Sequence, residues 1–130
     1  MMVVANCLEL ALPAVPKSVP AARSAVRETV AELTDDERVV DDIVLCVSEA
    51  VTNAVRYAYG SRGGVVQVLV GRTGRDLAVV VRDEGTGLTR TRRHEMSGGF
   101  GLRIIEELAS RHSLKSHPNE GTELRMVFVL

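Results

Sequence analysis

Two spacings of apolar residues run along this chain, one near 3.6 residues and one of two. The helical spacing is strongest in Val40, Ile43, Val44, Val47, Val51, Ala54, Val55 and Ala58, a broad stripe that predicts a helix ending near Tyr59. "TDDE" at 34–37 reads as its capping box, with Thr34 as cap and Glu37 three residues on, and Gly60 is a natural stop. An earlier helix is predicted from Ser18, with Pro20 in its first turn, where a missing N–H costs little. Ala22, Val26, Val30 and Leu33 give it an apolar face. A third helix is predicted from Leu102 to about Ser110. Strands are predicted at "CLELAL", "VVQVLVG", "DLAVVVRD", "SLKS" and "TELRMVFVL". "GRTGR" is a hairpin-type turn, "PAVPKSVP" a proline-rich connector, and "HPNEG" joins the last two strands.

The resulting order is β-α-α-β-β, loop, α-β-β. Helices and strands are segregated, so a layered α/β (α+β) sandwich on a mixed sheet fits better than a doubly wound parallel sheet. The 130 residues suit one domain with one core, spanning 1–130 without internal repeat or low-complexity tail.

Composition narrows the function classes. Hydrophobic residues at 45% and charged residues at 25% are those of a soluble globular domain. A net charge of −1 argues against a dedicated nucleic-acid binder, and 3% aromatics argue against base-stacking platforms. Cys7 and Cys46 lack metal-binding spacing and read as buried, reduced thiols. No apolar run has the length of a membrane span, and "MMVVANCLEL" lacks the layout of a secretion signal. A cytoplasmic protein is expected.

The apolar stripe leaves one thing unexplained. In "SEAVTNAVRYAYG", Glu49 and Asn53 lie one turn apart on one side of an otherwise apolar helix. Two glycine runs add to this. "DEGTGL" (83–88) leaves the end of a strand, and "SGGFGL" (97–102) enters a helix. Glycine permits close backbone approach, and a helix N-terminus presents unpaired N–H groups to an anion. Neither run is a P-loop, and Arg90 and Ile104 stand where a dinucleotide fingerprint needs its third glycine.

Taken together and in order, Glu49-x-x-x-Asn53, Asp83-x-Gly85-x-Gly87, Gly98-Gly99-Phe100-Gly101 and Gly121-Thr122 resemble the GHKL (Bergerat-fold) ATPases. "VSEAVTNAV", "VRDEGTGL" and "GGFGL" look most like the bacterial anti-sigma-factor serine kinases of the SpoIIAB/RsbW type. The likeness covers essentially the whole chain. It implies a two-layer fold with a mixed, mostly antiparallel sheet and helices on one face. It implies ATP/ADP and Mg²⁺ as cofactors. Asp83 would accept a hydrogen bond from the adenine amino group, which suits an acceptor-only carboxylate. Thr122 would support that contact, and Gly85 and Gly87 would let the base lie against the backbone. Asn53 would ligate Mg²⁺, and Glu49 would be the general base for an attacking hydroxyl. Gly98, Gly99, Phe100, Gly101 and Leu102 would border the phosphates, with Arg92 and Arg93, alongside Arg90, in a lid over them.

The implied partners are a sigma factor and a small antagonist protein of the STAS type, with the chain itself a homodimer. The sequence departs from the family pattern in places. Tyr57 stands where relatives often carry histidine or another polar residue. The lid at 88–97 is short, with Met96-Ser97 where an arginine is common. A nucleotide-gated binding module with little kinase activity is therefore an alternative, as is a stand-alone histidine-kinase ATPase domain. His94-Glu95 has the look of a phosphoacceptor box, but it lies in a loop and not on a helix.

Overall fold

The structure, a computed structural model, describes residues 5–57, 63–85, 100–117 and 121–130. Five strands and three helices are present among them: β1 (Ala5–Pro13), α1 (Ser18–Ala31), α2 (Glu37–Tyr57), β2 (Val65–Thr73), β3 (Asp76–Asp83), α3 (Phe100–Leu108), β4 (Arg111–His117) and β5 (Gly121–Val129). The strands lie in the order β1-β2-β3-β5-β4, and all four pairings are antiparallel.

Alternation decides which face of the sheet is covered. Val66, Val68 and Val70 of β2, Leu77, Val79 and Val81 of β3, and Leu124, Met126 and Phe128 of β5 are buried on one face. The helices supply the opposing layer with Ala22, Val26 and Val30 of α1, Ile43, Val47 and Val51 of α2, and Ile105 of α3. Each such valine or leucine contributes about 1.5–3 kcal/mol on leaving water. Valine dominates because a β-branched side chain fits a pleated surface.

The helix starts follow local chemistry. Ser18 opens α1 and donates its hydroxyl to the Pro13 carbonyl at 2.5 Å, tying the helix to the end of β1. The start of α2 differs from the predicted capping box. Asp36, not Thr34, holds the cap, its Oδ1 accepting from the Arg38 N–H at 3.0 Å. Thr34 instead accepts from the Asp36 N–H at 3.2 Å. A carboxylate next to the first turn also gains from the positive end of the helix dipole, which a hydroxyl does not.

Register fixes one end of the sheet. Asp83 pairs with Val66 on one side and with Thr122 on the other, and Thr122 pairs with Ser116. The C-terminus of α2 leads by a short connection into β2, so the second half of α2 lies near this end. The last turn of α3 is tied to the opposite end, where the Ser110 N–H donates to the Val127 carbonyl at 2.8 Å. Its first turn begins up to about 13 Å back from there, at 1.5 Å per residue.

Candidate functional site

The middle of α2 carries four half-buried polar residues, Ser48, Glu49, Thr52 and Asn53. Thr52 is satisfied inside the helix, donating to the Ser48 carbonyl at 2.7 Å. Asn53 is not. Its Nδ2 is buried and meets no hydrogen-bond partner among the described residues. Such an orphaned group costs about 1–3 kcal/mol, so its presence calls for a ligand or a function. Glu49 lies one turn earlier and makes no hydrogen bond or ion pair among the described residues.

At the end of β3, Asp83 is 7% exposed and faces the helical layer, in alternation with Val79 and Val81. Its Oδ1 accepts from the Gly85 N–H at 3.0 Å, an Asx turn that fixes the carboxyl as the chain leaves the strand. Burial pushes the Asp83 carboxyl above aspartate's ordinary 3.8, against the opposing pull of the Gly85 and Thr122 N–H groups. No cation pairs with it among the described residues. A carboxylate held this way still has acceptor capacity for a donor from outside the chain.

Gly121 completes this corner. It adopts φ +91°, and a Cβ there would collide with the Asp83 carbonyl oxygen and come within 2.8 Å of Glu84 Cα. Only glycine lets β5 approach β3 so closely. A depression of about 320 Å³ wraps the edge of the sheet at this end, lined by Asp83, Glu84, Gly121 and Thr122 and, from the opposite face, by Arg82, Lys115 and Glu123.

The sequence-derived site residues therefore fall into two groups. Glu49, Asn53, Asp83, Gly85 and Thr122 are placed as described, and Phe100, Gly101 and Leu102 form the first turn of α3, with Leu102 buried. Gly87, Arg90, Arg92, Arg93, Gly98 and Gly99 lie outside the described residues. Gly121 and Ser116 were not among the expected site residues. Gly121 entered the sequence reading only as part of the Gly121-Thr122 motif, with no role of its own. Ser116 could be connected with Thr122 only through the β4–β5 register.

Among the described residues no group of three or more His, Cys, Asp or Glu is disposed to hold a metal ion. Asn53 offers a single donor suited to Mg²⁺. Its carboxamide can rotate by half a turn to put a neutral oxygen where the orphaned nitrogen stands. That fits an ion held by one protein oxygen together with phosphates and waters. Cys46 belongs to the core, fully buried, its thiol pushed up to about 12 by desolvation and then by Asp42 and Glu49. Cys7 is only partly buried, in β1, so the expectation of two buried thiols holds in full for Cys46 alone. No helix among the described residues is long and apolar enough to cross a membrane.

Known proteins resemble this chain over most of its length. Residues 12–128 match the histidine kinase-like ATPase domain family. An anti-sigma F factor of Clostridium acetobutylicum is 30% identical over 93% of this chain and 92% of its own length. One from Pasteuria penetrans is 34% identical over 94% of this chain and 89% of its own. Among solved structures, the RsbU and RsbW domains of Rv1364c from Mycobacterium tuberculosis superpose with a TM-score of 0.74 at 27% identity. That match covers 95% of this chain and 31% of the other. A histidine kinase domain from Erythrobacter litoralis gives a TM-score of 0.62 at 30% identity over 71% of this chain and 45% of its own. The resemblance read from the four motifs is thus confirmed over nearly the whole length, and the chain belongs to the histidine kinase-like ATPase domain family.

Proposed function

We propose that the chain is an anti-sigma factor that binds ATP or ADP with Mg²⁺ and phosphorylates a serine or threonine on a small STAS-type antagonist. In the absence of competent antagonist it holds a sigma factor, in the cytoplasm. The observation that carries this reading is Asp83, a buried carboxylate held by the Gly85 N–H and met by no cation among the described residues. Adenine presents an amino donor to such a group, whereas guanine presents an oxygen at the same position.

The chain's own residues divide the remaining work. Asp83 and Thr122 select and orient the base. Gly121 holds the two strands together beneath it. Asn53 would hold Mg²⁺, which supplies charge neutralisation on the phosphates when bound. Glu49, one turn along the same helix, takes the proton of the attacking hydroxyl, so its base is placed before the substrate arrives.

The open face of the sheet supports a homodimer. One row across it reads Glu9, Leu69, Val80 and Arg125. A two-fold axis along the strands between β2 and β3 would bring Leu69 and Val80 together and set Glu9 opposite Arg125 of the second copy. Sedimentation of Leu69→Glu, expected to be monomeric, tests this.

The enzymatic proposal is tested by incubating the chain with a cognate STAS-type antagonist and labelled ATP. Transfer of label to serine or threonine, lost in Glu49→Ala while nucleotide affinity persists, is the expected result. Nucleotide-dependent partner binding without transfer would establish the gated-module reading in its place. Label on a histidine would instead establish the histidine-kinase reading.

A further inference from the structure

The β4–β5 hairpin sets Ser116 directly across from Thr122, their hydroxyl oxygens 3.1 Å apart and partly buried. Thr122 lies across from Asp83 on the other side, and its N–H favours the charged form of the Asp83 carboxyl. Ser116, Thr122 and Asp83 thus occupy one row, on one face, across three adjacent strands. The alternation of Leu124, Met126 and Phe128 makes that the face covered by the helices.

Threonine's two branches give its side chain distinct wells. Turning from one to another exchanges the hydroxyl for the methyl. A partner hydroxyl on the neighbouring strand favours the well that points Oγ1 towards it. A hydroxyl has one donor and two acceptor sites, so a single bond to Ser116 leaves Thr122 capacity to meet a base or a water.

We propose that Ser116 is a positioning residue for nucleotide selection, holding the Thr122 hydroxyl in place so that it and Asp83 together read the amino edge of adenine. This rests on the reading of the site as an ATP site. Ser116 touches no nucleotide in this scheme. It acts through Thr122, and its influence is confined to the part of the base that Thr122 and Asp83 read.

The probes are ATP and purine riboside triphosphate, which lacks the 6-amino group. Their affinities are measured by calorimetry for the native chain, Ser116→Ala, Ser116→Thr, Thr122→Val and the Ser116→Ala/Thr122→Val double variant. Ser116→Ala is expected to weaken ATP about threefold to tenfold, the worth of one net hydrogen bond, with little change for the purine analogue. Ser116→Thr restores the selectivity. In the Thr122→Val background, Ser116→Ala has no further effect. Should Ser116→Ala unfold the hairpin, Ser116→Cys, with its weak hydrogen bonding, takes its place and is expected to give the same pattern.

Unchanged ATP affinity, an equal loss for both nucleotides, or an undiminished effect in the Thr122→Val background would each overturn the role of Ser116. The ATP reading would survive any of these. Failure of the native chain to bind ATP at all would remove the ATP reading and this inference with it.

Discussion

Gly121 and Asp83 share a contact that admits no side chain. The α-carbon of Gly121, at φ +91°, lies so close to the Asp83 backbone that an added Cβ would fall on the Asp83 carbonyl oxygen. Gly74 also has positive φ, +60°, but nothing lies within 4 Å of its missing Cβ. The pair gives a controlled comparison. Gly74→Ala carries only the backbone cost, about 1 kcal/mol. Gly121→Ala adds a displacement of β5 from β3, so the expected loss is larger, on the order of 2–4 kcal/mol. Chemical denaturation measures both. Nucleotide titration should show binding lost in the Gly121 variant and kept in the Gly74 variant.

Asp83 costs the fold something at neutral pH. Its carboxyl ionises less readily in the folded chain than in the unfolded chain, chiefly because it is buried. The folded state therefore gains stability as pH falls through the raised value towards 3.8, and forfeits it again as pH rises. Asp83→Asn removes that dependence. The variant should melt at or above the native temperature at pH 7, with the advantage shrinking to nothing below 3.8. Melting curves across this range check the sign, and ATP affinity should be lost in the same variant.

Asn53 poses the same conflict within a helix. Its buried Nδ2 is without a partner among the described residues, so Asn53→Leu, of the same branching, removes an unsatisfied donor. Stability is expected to hold or rise by about 1 kcal/mol. Mg²⁺-dependent nucleotide binding should fall, while the weaker Mg²⁺-free binding stays. Calorimetry with and without EDTA separates the two.

Cys46 reports on the core. With its thiol near 12 instead of 9, it resists alkylation at pH 8 until the chain unfolds. Mass spectrometry of iodoacetamide-treated protein should find Cys46 unmodified in buffer and modified in denaturant. The same shift means that stability present below pH 9 is lost as pH rises towards 12.

Much of this protein was legible in its sequence because its elements are locally consistent. The stripe from Val40 to Val55 could only be a helix with one buried side, and the valine-rich alternations could only be strands. Glu49 and Asn53 stood out because polar side chains interrupt that stripe at a spacing that keeps them together. The four ordered motifs then led to the family. The cap of α2 was misjudged by two residues because a threonine and an aspartate both stood in reach, and only their hydrogen bonds distinguish them.

Tertiary structure alone decided what lies beside what. No local pattern states that Gly121 must touch Asp83, because the two are joined by the pairing of β3 with β5 across a long intervening segment. Nor does sequence show that Ser116 meets Thr122, or that Thr52 is satisfied within its helix while Asn53 is left over. Periodicity fixes which face of an element is buried, because it depends only on neighbours along the chain. Register between strands depends on the whole packed sheet, and the corner around Asp83 exists only once that register is set.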